Sequence, residues 1–151
     1  MIRIALYQPD IPQNTGAAMR LTSCLGIGLD IIEPCGFVLD DKKLRRSAMD
    51  YIEELDLKRH KSWDSFFNTY NGKNRLVLLS TKAEMTYVNF SFKSGDILLA
   101  GRESAGVPDS VHEQVGERIT IPMPGGGRSL NVINSLAMVT GEALRQTKGF
   151  T

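Results

Sequence analysis

Ile119-Thr-Ile-Pro-Met-Pro-Gly-Gly-Gly-Arg-Ser-Leu-Asn131 runs from an apolar, strand-like start through three consecutive glycines into the longest helical pattern of the chain, Leu130–Thr147. A strand, a flexible loop and a helix in that order form the repeating unit of a parallel α/β sheet. Three adjacent glycines cost considerable chain entropy, so the loop needs a role beyond joining two elements. Ser129 and Asn131 both stand where a helix N-cap is expected, and either residue type caps well. The Gly-x4-Gly-Lys-Ser/Thr pattern of phosphate loops is absent, since no lysine stands before Ser129.

The same order recurs upstream. Leu98-Leu-Ala-Gly-Arg-Glu-Ser-Ala-Gly-Val-Pro108 follows the apolar run Ile97–Ala100 and sets Gly101 and Gly106 around Arg102 and Glu103. Ligands of parallel sheets gather at the carboxyl ends of strands, where such a loop lies. Glycines admit close backbone approach there, although the residues also suit a tight turn with a solvated ion pair. Near the N-terminus, Pro12-Gln-Asn-Thr-Gly-Ala-Ala-Met-Arg20 follows the run Ile2–Tyr7. Asn14 is the expected N-cap of a helix reaching Leu25, and the exposed donors of such a helix start suit an anion. Arg20 follows nearly two turns later, on the same general side. Taken alone, this stretch also reads as an ordinary capped helix with a surface arginine.

Between these segments, Leu29–Ile32, Leu55–Lys58, Leu76–Leu79 and Arg118–Ile121 have the length and composition of strands. Asp41–Met49, Trp63–Tyr70 and Pro108–Val115 have helical patterns. The alternation predicts one α/β domain over residues 1–151, with a largely parallel sheet flanked by helices. The last helix carries Val132, Ile133, Leu136, Ala137, Val139, Ala143 and Leu144 around more than one face. Such a helix is covered on several sides, either by its own sheet or by a second subunit.

Composition narrows the function classes. With 42% hydrophobic and 23% charged residues, the chain has the make-up of a soluble globular protein. A formal net charge of +1 leaves any nucleic-acid contact to local clusters. Lys42, Lys43, Arg45 and Arg46 form one such cluster, and Lys58-Arg-His-Lys61 another. Both suit a phosphate-tracking surface, and the first equally suits a solvated helix whose acidic start complements its dipole. The two cysteines, Cys24 and Cys35, and two histidines have no zinc-like spacing, so no metal is expected and the compartment reads as reduced and cytoplasmic. The start MIRIALYQPD lacks the form of a signal peptide. No apolar stretch approaches the roughly 18 residues of a membrane span.

Together the three segments resemble the SPOUT superfamily, in its 2′-O-ribose branch. The likeness is strongest to the small bacterial tRNA (cytidine/uridine-2′-O)-methyltransferases acting at the wobble nucleotide, and it covers essentially the whole chain. It rests also on Leu6-Tyr-Gln-Pro-Asp-Ile-Pro-Gln-Asn-Thr-Gly16, Ile31-Ile-Glu-Pro-Cys-Gly-Phe37, Asp40-Asp-Lys-Lys-Leu-Arg-Arg46, Asp50-Tyr51 and Ile121-Pro-Met123. Where that family commonly carries a Gly-Pro-Glu-Thr-Arg-Gly type motif, this chain has Gly101-Arg-Glu-Ser-Ala-Gly106.

The resemblance implies a C-terminal trefoil knot, which general folding rules disfavour. It also implies a homodimer whose site uses both subunits, a tRNA substrate (leucine tRNAs), and S-adenosylmethionine as methyl donor with S-adenosylhomocysteine as product. Carried over by position, cofactor contacts fall at Leu79, Gly101, Glu103, Ile121, Ser129 and Leu130, largely through backbone groups. Asn14 and Arg20 match the catalytic pair, with Ser129 and Asn131 beside them, and Arg20 with the cluster at Lys42, Lys43, Arg45 and Arg46 addresses RNA. A guanidinium stays protonated, so Arg20 is expected to bind phosphate or steady a developing alkoxide while phosphate or water takes the proton. The competing class is a non-catalytic RNA-binding protein that retains the fold.

Overall fold

The computed structural model describes residues 1–40, 42, 55–128 and 130–151. The expected helix over 41–49, with Lys43, Arg45 and Arg46, lies outside the described residues, as does Ser129. Six strands form one sheet in the order β3-β2-β1-β5-β4-β6. They are β1 (Arg3–Tyr7), β2 (Gly28–Ile32), β3 (Leu57–His60), β4 (Leu76–Leu79), β5 (Ile97–Ala100) and β6 (Glu117–Ile119). Every pairing is parallel. Four helices accompany them among the described residues: α1 (Pro12–Leu25), α2 (Trp63–Tyr70), α3 (Asp109–Gln114) and α4 (Val132–Thr147).

The central strands are buried along their whole length, which is why they read as continuous apolar runs rather than alternating ones. Successive side chains still go to opposite faces. Ile4 and Leu6 of β1, with Leu98 and Ala100 of β5, pack under Ala18 and Met19 of α1 and Leu136, Val139, Ala143 and Leu144 of α4. Ala5 and Tyr7, with Ile97 and Leu99, pack instead on Trp63, Phe66 and Tyr70 of α2 and on Val111 of α3. Each buried aliphatic or aromatic side chain of this kind is worth roughly 1.5–3 kcal/mol of transfer free energy. The result is a sheet between two helix layers, with a separate core on each face.

Three of the boundary shifts from expectation have an identifiable cause. α1 begins at Pro12, not Asn14, with Ile11 in the N-cap position and no side-chain cap bond. Proline at the first turn has its φ preset and no N–H to satisfy, so Asn14 is not needed as a cap and its amide is available elsewhere. β3 runs two residues later than expected, because His60 pairs in register with Ile32 and is buried. β6 stops at Ile119; Thr120 turns away to bridge Thr86, donating its N–H to Met85 O at 2.9 Å.

One polar network crosses the β2–β3 flank. Asp30 of β2 is fully buried, accepting from Arg3 Nε at 2.7 Å and from Tyr70 Oη at 2.6 Å, with His60 Nε2 also at 2.6 Å. Arg3 continues to Asp56. Gly28 makes this possible: a Cβ there would lie 1.9 Å from Arg3 Nη1. Burial, and then the hydrogen bond to Asp30, push the Tyr70 hydroxyl above its ordinary value.

A candidate cofactor and substrate site at the sheet switch point

β1 and β5 are neighbours, yet the chain leaves β1 for α1 on one face and leaves β5 for α3 on the other. The connections diverge and open a crevice at the carboxyl ends of the strands, the general ligand position of open parallel sheets. A cavity of about 540 Å³ lies there, within the roughly 300–1,000 Å³ of small-molecule sites.

Its floor is the loop after β5. Arg102 N–H donates to Gly106 O at 2.9 Å, and Gly106 N–H returns to Arg102 O at 2.8 Å, closing a tight turn. Both glycines are required, for different reasons. A Cβ on Gly101 would meet the backbone carbon of Gly106 at 2.6 Å, whereas Gly106 itself adopts φ +66°. The wall opposite is formed by Thr120, Ile121, Met123, Leu130 and Asn131; between them Gly126 has φ +76° and donates its N–H to Met123 O at 3.0 Å.

The three glycine-bearing segments meet in a row of side chains. The Asn14 amide nitrogen donates to Glu103 Oε1, and its oxygen accepts from the Asn131 amide, both at 3.4 Å. Asn131 Oδ1 in turn accepts from the N–H groups of Ile133 (2.8 Å) and Asn134 (3.3 Å), so Asn131 is the cap of α4. Helix donors at one end and a carboxylate acceptor at the other orient both amides. The 3.4 Å contacts are long, of the kind that tightens when a site is loaded. Glu103 also accepts from Asp10 N–H at 3.0 Å. Burial, followed by the neighbouring Asp10 carboxyl, holds Glu103 above the usual glutamate range. Asp10 is held below its usual value by hydrogen bonding with Glu103 and then by Ser104.

The sequence-derived site residues divide cleanly. Asn14, Leu79, Gly101, Glu103, Ile121, Leu130 and Asn131 all line the cavity. Arg20 does not: six residues along a helix is a rotation of about 240°, and the side chain is exposed on another side of α1. Lys42 is exposed, its N–H held by Asp40 Oδ1 at 2.9 Å, and it too stands apart from the cavity. The second basic cluster is partly withdrawn from RNA, since His60 is buried on Asp30 and Arg59 pairs with Glu33 at 2.7 Å. Arg102, read with Glu103 in the glycine loop but given no role, lines the same cavity; sequence reasoning missed Ser80 and His112, which line it too. Ser80, directly after an apolar strand, had a positional signal; His112 had none.

The fold and site define a parallel α/β domain with a small-molecule-sized cavity at its switch point, and comparison with known proteins makes the class specific. The model of the SpoU rRNA Methylase family matches residues 1–141, and the chain belongs to that family. A tRNA (cytidine(34)-2′-O)-methyltransferase of Beijerinckia indica is 53% identical over 145 residues, 95% of this chain and 90% of that one. A solved structure concerned with the 2-OH methylation of C/U34 on tRNA superposes with a TM-score of 0.92 at 38% identity, covering 99% of this chain and 97% of the other. The SpoU methyltransferase AviRb of Streptomyces viridochromogenes, in complex with the cofactor AdoMet, superposes at 0.79 with 26% identity, covering 95% of this chain and 59% of the other.

Proposed function

We propose that this chain transfers a methyl group from S-adenosylmethionine to the ribose 2′-hydroxyl of the wobble cytidine or uridine of tRNA, with leucine tRNAs as substrates. The observation that carries the reading is the Glu103–Asn14–Asn131 row at the edge of a glycine-floored cavity. The residues fit the cofactor: Gly101 lies backbone-to-backbone against Gly106 in a turn that a side chain would force open, and Leu79, Ile121 and Leu130 line the cavity with apolar side chains and peptide groups. Ser129 joins them by position, and S-adenosylhomocysteine is the product released. When bound, the sulfonium supplies an already activated methyl, leaving the protein to position the acceptor and manage one proton.

Asn14 orients the ribose through an amide whose direction is imposed by its two neighbours. Arg20 binds the adjacent phosphate or steadies the developing alkoxide, and phosphate or water accepts the proton. Because Arg20 points away from its own cavity, it serves the cavity of a second copy. Ala137 and Met138 leave an apolar face of α4 exposed, with Ile133 half-buried beside them, suited to that homodimer contact. Arg20, Lys42, Lys43, Arg45 and Arg46 then form the RNA-binding surface. The bridge of Thr120 to Thr86 clasps the β6–α4 segment against the β4–β5 connection, in keeping with a C-terminal trefoil knot. The chain acts as one domain, in the cytoplasm, where its tRNA substrate is found.

Labelled S-adenosylmethionine and tRNA test the reading directly. Ribose methylation mapped to the wobble nucleotide is expected; tRNA binding without cofactor binding or methyl transfer would make the chain a non-catalytic RNA-binding protein. In Arg20→Lys, uniformly poor activity across pH supports bidentate positioning, whereas activity rising along a lysine titration would make residue 20 the base.

A further inference from the structure

At the far side of the cavity, three residues from three elements form a second directed chain. Ser80 follows β4 and donates its backbone N–H to Ile119 O at 2.9 Å, which locks it beside β6. Its hydroxyl oxygen accepts the Lys82 N–H at 3.1 Å and lies 3.3 Å from His112 Nε2 of α3. On the other side of that ring, Arg118 Nη1 of β6 lies 3.0 Å from Nδ1 and also donates to His112 O at 3.1 Å.

The direction of this chain follows from donor inventory. A guanidinium has donors only, so His112 Nδ1 must accept from Arg118, and the ring proton sits on Nε2. Nε2–H therefore donates to Ser80 Oγ. With both lone pairs taken, by His112 and by the Lys82 N–H, Ser80 keeps one unused function: its own O–H, on a residue that lines the cavity. This polarity is the reverse of a nucleophilic serine–histidine pair, in which Nε2 takes the hydroxyl proton and a carboxylate holds Nδ1–H. Ser80 is built as a donor and not as a nucleophile.

Its position says what it donates to. In the order β1-β5-β4, Ser80 stands two strand spacings, about 10 Å, from the β1 end where Asn14 meets the reacting ribose. It therefore addresses a part of the cofactor remote from the methyl. Leu79, Val107, Ile119 and Ile121 supply apolar lining that suits a flat, uncharged ring, beside Thr81, Thr120 and Lys82, whose exposed ammonium lies 3.9 Å from Asp109. Resting on the proposed use of S-adenosylmethionine, we infer that Ser80 donates a hydrogen bond to a ring nitrogen of the cofactor's adenine, and that His112, held by Arg118, is the positioning residue that keeps it a donor.

Calorimetric titration of the full-length protein with S-adenosylhomocysteine, adenosine and methionine tests this. Ser80→Ala is expected to weaken both S-adenosylhomocysteine and adenosine by about tenfold, the worth of one hydrogen bond, with unchanged thermal melting. Ser80→Thr restores binding. His112→Phe weakens it in the same direction, and His112→Gln, which keeps a donor at the Nε2 position, recovers it. In turnover, KM for S-adenosylmethionine rises while kcat holds, the signature of a contact made equally in ground and transition states. Unchanged affinity in a folded Ser80→Ala protein overturns the inference. So does a loss seen with S-adenosylhomocysteine but not with adenosine, which would put the contact on the methionine half. If the unaltered protein binds neither S-adenosylhomocysteine nor adenosine, the proposed function itself falls.

Discussion

Two polar networks of this molecule differ in how they end. Around Asp30, the carboxylate is completely enclosed, and Arg3, His60 and Tyr70 all converge on it. Around Asn14, the bonds run in a line from Glu103 to the cap of α4, are longer, and border an open cavity. A buried charge whose acceptors are all filled from within has nothing to offer a ligand; it ties β1, β2, β3 and α2 together. A row that is only loosely closed keeps capacity for a substrate. Polarity and burial alone would rank the first network as the more functional. The closure of its hydrogen bonds reverses that ranking.

The comparison breaks most sharply on single substitutions. Asn14→Ala should lower kcat by about 10²–10³-fold, as loss of a transition-state contact does, with little change in unfolding free energy. A stability loss without a kinetic one would move Asn14 into the structural class. Asp30→Leu should do the opposite, costing about 3 kcal/mol in urea unfolding because Arg3 is left underpaired, while the folded fraction keeps its cofactor affinity. Preserved stability would show the enclosed network to be dispensable.

Gly101→Ala forces a Cβ to within 2.6 Å of the Gly106 backbone, so the turn must open. Cofactor dissociation constants measured by calorimetry should rise at least about tenfold, since the cradle no longer fits.

The smallest effect concerns alkaline pH. Burial and Asp30 raise the Tyr70 hydroxyl above the phenol value of 10.0 that the unfolded chain retains. A raised folded value means that its contribution to stability is present below pH 10 and lost as pH climbs towards the folded value. Tyr70→Phe should flatten that alkaline decline in thermal melting, with activity per folded molecule unchanged.

Much of the fold was legible because it is locally encoded. The apolar runs Leu76–Leu79 and Ile97–Ala100 and the helix Trp63–Tyr70 appear with the boundaries that their composition predicts. Gly101 and Gly106 suited a tight turn, and α1 ends at Leu25 as expected, with Gly26 at φ +65° as a left-handed cap. Boundaries moved where a neighbour in space outranked local preference, as at His60, or where one local signal outranked another, as Pro12 did Asn14. Within the site, the described residues read from family likeness as cofactor contacts reached the cavity, with Asn14 and Asn131, whereas Arg20 did not, because helical rotation carries it to another side.

By itself, then, the sequence determined an α/β sheet with glycine turns after its strands, and membership of a methyltransferase family, since periodicity, turn chemistry and motif order are local properties. Tertiary structure decided which of its polar residues are partners. Asn14 meets Glu103 across 89 positions and Asn131 across 117, contacts created by the placing of β5 beside β1 and of α4 beside α1. Strand order is set by how whole layers bury their apolar faces, and no short stretch of residues records it.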